Sequence, residues 1–141
     1  MLARRELSEA QVRQRLAQRG HTEDAIAAAV ARLREERAID DRRVADAMAR
    51  HESSAGRRSK RGAQRHIEEA GIAGSIARGA TDDAYGELDG DALLEASIAK
   101  RLRGRTKVAD DREFQRVYRY LVAHGFEPDQ VIRALRARSV K

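Results

Sequence analysis

The sequence predicts an all-α protein, an elongated array of tandem three-helix repeats with about eight helices grouped three, three and two. Three observations carry this. Aromatic residues make up only 4% of the chain and proline occurs once, against 37% charged residues, a balance that suits helices and starves strands. An aliphatic residue followed four places later by glycine appears three times, in LAQRGH at 16–21, IEEAGI at 67–72 and LVAHGF at 121–126. Finally, Gly20, Gly71 and Gly125 lie 51 and 54 residues apart, a repeat-scale period, and each unit's apolar stripe is too narrow to stand alone, so neighbours must share burial.

The first helix starts at Ser8, whose hydroxyl and the Gln11 amide group have capping-box form; Val12 and Leu16 face inward, and Gly20 ends the helix by accepting a left-handed backbone. Thr22 caps a second helix with Ile26, Val30 and Leu33 on one face. Ile39 and the aspartates Asp40 and Asp41 then open a third, since a carboxylate satisfies free amides at the positive end of the helix dipole; Val44 and Met48 form its buried side. The order repeats. Ser59 caps a helix through Ala63 and Ile67 to Gly71, and a second runs from about Ser75 to Glu87 with Ile76, Ala80 and Tyr85, weakened by Gly79. Leu88 and Asp89 repeat the Ile39–Asp40 pair before Leu94, Ile98 and Leu102. In the third copy Asp110 and Glu113 again have capping-box form, and Phe114, Val117, Tyr118, Leu121 and Val122 make the clearest amphipathic stripe. Gly125 and Phe126 close that helix, and Pro128 opens the last one with Val131, Ile132 and Leu135. The expected units are therefore 1–52, 53–106 and 107–141, the last with two helices. HESSAGRRSKRG at 51–62 and RGRTKVADD at 103–111 read as linkers or frayed helix ends.

Little in the chain points to bond-making chemistry. With no cysteine there is neither a disulfide nor a thiolate metal site, and His21, His51, His66 and His124 are far apart in sequence. The pairs Asp40–Asp41 and Asp110–Asp111 sit at helix starts, where capping accounts for them, and Asp82–Asp83 alone suggests no acid–base site. No phosphate-cradling glycine loop occurs. No catalytic residue, metal or cofactor is expected. No apolar run approaches the roughly 18 residues of a membrane span and the start lacks an apolar signal core, so a cytoplasmic location is expected.

Charge is the informative feature. Lys plus Arg outnumber Asp plus Glu by 29 to 23, giving a net charge of +6 and a sequence pI near 10.3, a balance that favours a polyanionic partner. Two clusters are candidates: Arg57, Arg58, Lys60, Arg61 and Arg65 at the first junction, and Lys100, Arg101, Arg103, Arg105 and Lys107 at the second. Each reads either as a solvated linker or as a surface offered to phosphates or acidic side chains. Neither contains an aromatic residue, so contact with nucleic acid should be independent of sequence and weakened by salt.

Taken together, ARRELSEAQVRQRLAQRGH at 3–21, AIDDRRVADAMARH at 38–51, IEEAGI at 67–72 and YLVAHGFEPDQVIRAL at 120–135 resemble the RecX family, bacterial regulators of the RecA recombinase. The resemblance runs over nearly the whole chain in family order. It implies an extended molecule of three-helix repeats that binds RecA in the groove of the RecA–ssDNA filament and suppresses ATPase, strand exchange and coprotease activity, without being an enzyme; a monomer is expected. The repeat-defining residues Ser8, Leu16, Gly20, Asp40, Asp41, Ile67, Gly71, Leu121, Gly125 and Phe126 would then be structural, and the basic clusters would face the filament. Two other readings stay open: a helix-turn-helix basic DNA-binding module, disfavoured by the threefold repetition, and a helical adaptor for another protein.

Overall fold

A computed structural model describes residues 6–54 and 57–139, so positions 55 and 56 of the first linker lie outside the described residues. Among the described residues eight α-helices follow in order: α1 Glu9–Gln18, α2 Glu23–Glu35, α3 Asp41–Ser53, α4 Lys60–Glu69, α5 Gly74–Tyr85, α6 Gly90–Arg101, α7 Asp111–Ala123 and α8 Pro128–Arg136. Among the described residues the only extended pairing is a single bridge between Val108 and Ser139.

The starts obey local chemistry. The Ser8 hydroxyl accepts from the Gln11 N–H at 3.1 Å while the Gln11 side chain accepts from the Ser8 N–H at 2.9 Å, a closed capping box. Thr22, Asp40, Ser59, Asp89 and Asp110 each cap with a side-chain oxygen. One expectation fails locally. The box at α7 is not closed: Asp110 accepts from the Glu113 N–H at 2.8 Å, but the Glu113 carboxylate turns back to the Ala109 N–H at 2.8 Å instead. The fifth helix, α5, begins at Gly74, within one residue of the expected start, after Ala73 and with no side-chain cap. Gly79 inside α5 has a steric reason: a Cβ there would meet Nη1 of Arg42 at 2.6 Å, so the missing side chain admits the Arg42 guanidinium, which also pairs with Asp83 of α5.

Burial is phased one helix ahead of the sequence repeat. One apolar cluster joins α1 and α2 through Ile26, Val30 and Ile39, with Val12, Leu16 and Leu33 against it. A second joins α3, α4 and α5 through Val44, Ala49, Ile67, Ile72 and Ala80. The third joins α6, α7 and α8 through Leu94, Ile98, Leu102, Val117, Leu121, Phe126, Val131 and Leu135. The third helix of each repeat thus buries its stripe in the next repeat, which is how units with narrow stripes share a core. Three clusters in series leave much surface. The accessible area is 9636 Å², against about 7,300 Å² for a compact chain of this mass.

The repeat glycines make the joints. The Ser8 hydroxyl, fully buried, donates to the Ala70 carbonyl at the end of α4 at 2.5 Å, and a Cβ on Gly71 would collide with the Ala10 side chain. One repeat further, the Ser59 N–H donates to the His124 carbonyl at 3.2 Å, and a Cβ on Gly125 would lie 2.5 Å from Gly62 N and from Ser59 Oγ. The carboxyl end of α7 therefore abuts the amino end of α4, and the carboxyl end of α4 abuts the amino end of α1. Opposite ends of helix dipoles face each other at both joints. Gly20 shares the left-handed backbone, with φ of +88°, but none of the described residues lies within 4 Å of its would-be Cβ. It is a turn glycine without a joint.

Candidate functional site

The two basic clusters differ once folded. At the first junction Arg58 is half-buried, its Nε 2.9 Å from Glu52 although the N–H is not aimed at the carboxylate, and its carbonyl accepts from the buried Tyr85 hydroxyl at 2.9 Å. Burial, with the nearby Glu52 carboxylate, pushes the Tyr85 phenol well above its ordinary range, so it stays a donor. Arg65 donates to the Ala123 carbonyl at 3.2 Å and Lys60 pairs with Asp82 at 2.6 Å. Arg57 and Arg61 are exposed and have no ion-pair partner among the described residues. They are the cations this junction offers outward.

The second junction is tied down rather than soft. Val108 is buried and its N–H donates to the Arg138 carbonyl at 2.8 Å, stitching 103–111 to the end of α8. The Glu113 carboxylate gathers the loop: it accepts from both terminal nitrogens of Arg105, one at 3.0 Å, from Ala109 N–H, and from Arg116 at 3.0 Å. The Arg105 guanidinium chiefly, with the Ala109 N–H, holds the Glu113 carboxyl down to about 2. A group whose pKa is lower folded than unfolded stabilises fully above the unfolded value and stops doing so as pH falls through the folded one. Glu113 should therefore begin to lose its contribution as pH drops below about 4.5. Glu113→Gln is expected to flatten the acid limb of a stability–pH profile between about pH 4.5 and 2, and urea titrations across that range measure it.

Beside this clamp Lys100, Arg101, Arg103 and Arg116 surround a cleft of 320 Å³ closed by Val117 and Tyr120. The Arg101 guanidinium carbon sits 4.3 Å over the Tyr120 ring centre, and the His124 ring stacks on the same ring at 3.8 Å and 20°. His124 Nδ1 lies 2.7 Å from the Tyr120 carbonyl, which fixes that nitrogen as the protonated one, and burial lowers the pKa of the ring despite this bond. An aromatic residue thus enters the second cluster from α7, which the spacing of the cluster's own residues does not reveal. Lys107 is exposed and lies outside the cleft.

The described residues contain no group of three or more His, Asp or Glu placed to hold a metal ion, and no described helix is long and apolar enough to cross a membrane. A second opening of 360 Å³ between α4, α6 and the α7–α8 turn includes Lys60, Arg61 and Leu88. Leu88 is 51% exposed although its repeat counterpart Ile39 is only 8% exposed.

A string of helical units jointed at glycines, with cationic clefts between them, defines a helical-repeat protein. The chain belongs to the RecX family. It is 34% identical over 127 residues to the regulatory protein RecX of Syntrophotalea carbinolica, covering 89% of this chain and 83% of that one. It is 35% identical over 141 residues to the regulatory protein RecX of Chromohalobacter salexigens, covering 96% and 86%. The RecX first three-helix domain matches residues 1–33. The crystal structure of RecX from Lactobacillus salivarius superposes with a TM-score of 0.58 at 18% identity, over 93% of this chain and 84% of that one, a likeness of fold.

Proposed function

We propose that this protein is a modulator, mainly an inhibitor, of RecA: it lies in the groove of the RecA–ssDNA filament and lowers its ATPase, strand-exchange and coprotease activities, so regulating recombination and repair. The observation that carries this reading is the similarity, over most of the chain, to proteins named regulatory protein RecX. It works by binding in the cytoplasm, without a cofactor. Repeats 1–52, 53–106 and 107–141 follow the groove as successive units, so that weak contacts add along the filament. The exposed cations of both junctions supply those contacts, to phosphates or to acidic side chains.

The test is RecA ATP hydrolysis on single-stranded DNA with increasing amounts of the protein. A fall in rate at or below stoichiometric amounts, with co-sedimentation on filaments, is expected; an unchanged rate without co-sedimentation removes the reading. Arg57→Ala with Arg61→Ala should weaken filament binding about threefold to tenfold near 0.15 M salt, with helix content intact, because neither side chain has an ion-pair partner among the described residues. Circular dichroism and filament pull-down read the two effects separately.

A further inference from the structure

We propose that the cleft formed by Lys100, Arg101, Arg103 and Arg116 is a nucleic-acid backbone site, which grips phosphodiesters of a bare strand without reading its bases and without any recombinase present.

The charge distribution comes first. Of the cations at this junction, Arg105 is engaged by Glu113, and Arg116 shares the same carboxylate at 3.0 Å. Among the described residues Lys100, Arg101 and Arg103 have no carboxylate partner and no acidic side chain lines the opening. Like charges held together without counter-charges repel, and an anion between them relieves that cost.

The backbone places the third of these cations. Arg103 is one of two non-glycine residues with positive φ among the described residues, at +53°, followed by Gly104 at +84°. An L-residue in that region costs about 1 to 2 kcal/mol. Glycine would relieve the strain at 103, yet the position carries a guanidinium, and that side chain lines the cleft. The turn itself closes α6, the Arg103 N–H donating to the Lys100 carbonyl at 3.2 Å and the Gly104 N–H to the Ala99 carbonyl at 3.3 Å, and in doing so it sets the Arg103 guanidinium beside Lys100 and Arg101 at the cleft.

Tyr120 decides what kind of nucleic-acid contact this is. Arg101 and His124 both lie within about 4.3 Å of the ring centre, too close to share one face, so each covers one side. No face is left for a nucleobase, which is what a stacking platform requires. Tyr120 is instead a positioning residue that holds the Arg101 fork over the opening. Several cations converging on a space of 320 Å³, with Val117 the one aliphatic wall, match closely spaced anionic oxygens better than a peptide, whose carboxylates come singly on side chains.

The experiment is fluorescence anisotropy with no RecA, using a labelled mixed-sequence strand, an abasic deoxyribose-phosphate strand of equal length, and polyglutamate as competitor. The abasic strand is expected to bind within about threefold of the mixed sequence, with a log–log salt slope near −2 to −3, since about three phosphates are neutralised at about 0.7 to 0.9 each. Polyglutamate should compete at least tenfold less well than the abasic strand at equal charge. Lys100→Gln, Arg101→Gln and Arg103→Gln combined should lose at least tenfold in affinity with unchanged circular dichroism. Tyr120→Ala should lose about threefold to fivefold, and Tyr120→Phe, which keeps the ring beneath Arg101, should recover most of that. Binding of the mixed sequence but not the abasic strand would overturn the proposal in favour of base contacts, and equal competition by polyglutamate in favour of an acidic protein surface. Wild-type affinity in the triple variant, or no strand binding at all, overturns it too. Because recombinase is absent, each of these results stands apart from the ATPase test above, and either reading can fail alone.

Discussion

Gly125→Val is expected to destabilise the fold by about 2 to 5 kcal/mol, whereas Gly20→Ala should cost only about 1 to 2 kcal/mol, although both glycines end the first helix of a repeat. Each has a left-handed backbone, +94° at Gly125 and +88° at Gly20, and that conformation costs an L-residue about 1 to 2 kcal/mol. The difference is what surrounds them. A Cβ at Gly125 would enter the backbone of Gly62 and lie 2.5 Å from Ser59 Oγ, so α4 must move away from α7, and overpacking of this kind adds about 1 to 3 kcal/mol. A Cβ at Gly20 meets nothing. Urea unfolding followed by circular dichroism compares the two, and equal losses would mean that the α4–α7 joint carries no stability.

Leu121→Ala should cost about 2 to 5 kcal/mol, because the side chain is fully buried where α6, α7 and α8 meet and the cavity it leaves is walled by other core residues. Leu88→Ala is the matched control. At 51% exposure Leu88 buries little to lose, and its truncation should change stability by less than about 1 kcal/mol. Thermal melts of both variants provide the comparison; similar shifts would show that the third cluster repacks freely around position 121.

These two positions also mark what was legible in the sequence. Leu121 stood in a strong stripe at helical spacing, and a period is enough to say that a residue faces inward. The caps at Ser8, Thr22, Asp40, Ser59, Asp89 and Asp110 were readable because a side-chain oxygen two or three residues before a free amide acts locally. Leu88 was not legible. It occupies the same motif position as Ile39, yet one is exposed and the other buried, since burial depends on which neighbour arrives and not on the residue's own helix. For the same reason the periodicity gave the helices but not the phase of their packing, in which α3 and α6 belong to the following cluster.

The basic clusters show the same division. Composition found the cations, but only tertiary contacts separate Arg58, Arg65 and Arg105, which hold the joints and the loop, from Arg57, Arg61, Lys100 and Arg103, which have no carboxylate partner among the described residues. Tyr120 joins its cluster from a helix that begins ten residues after Arg101 ends the previous one, and no spacing rule anticipates the stack of Arg101, Tyr120 and His124. Glu113 is intermediate: its capping role could be expected, but its hold on Arg105 depends on how the intervening loop folds back.

Since α4 touches α1 at one tip and α7 at the other, its ten residues act as a ruler between the outer repeats. One residue added within it would advance one end by about 1.5 Å and screw it round by about 100°. The bearing of the first repeat relative to the third is thus written as a residue count, and insertions should be far better tolerated in the α5–α6 turn, where residues 86–89 are all exposed, than anywhere along that short rod.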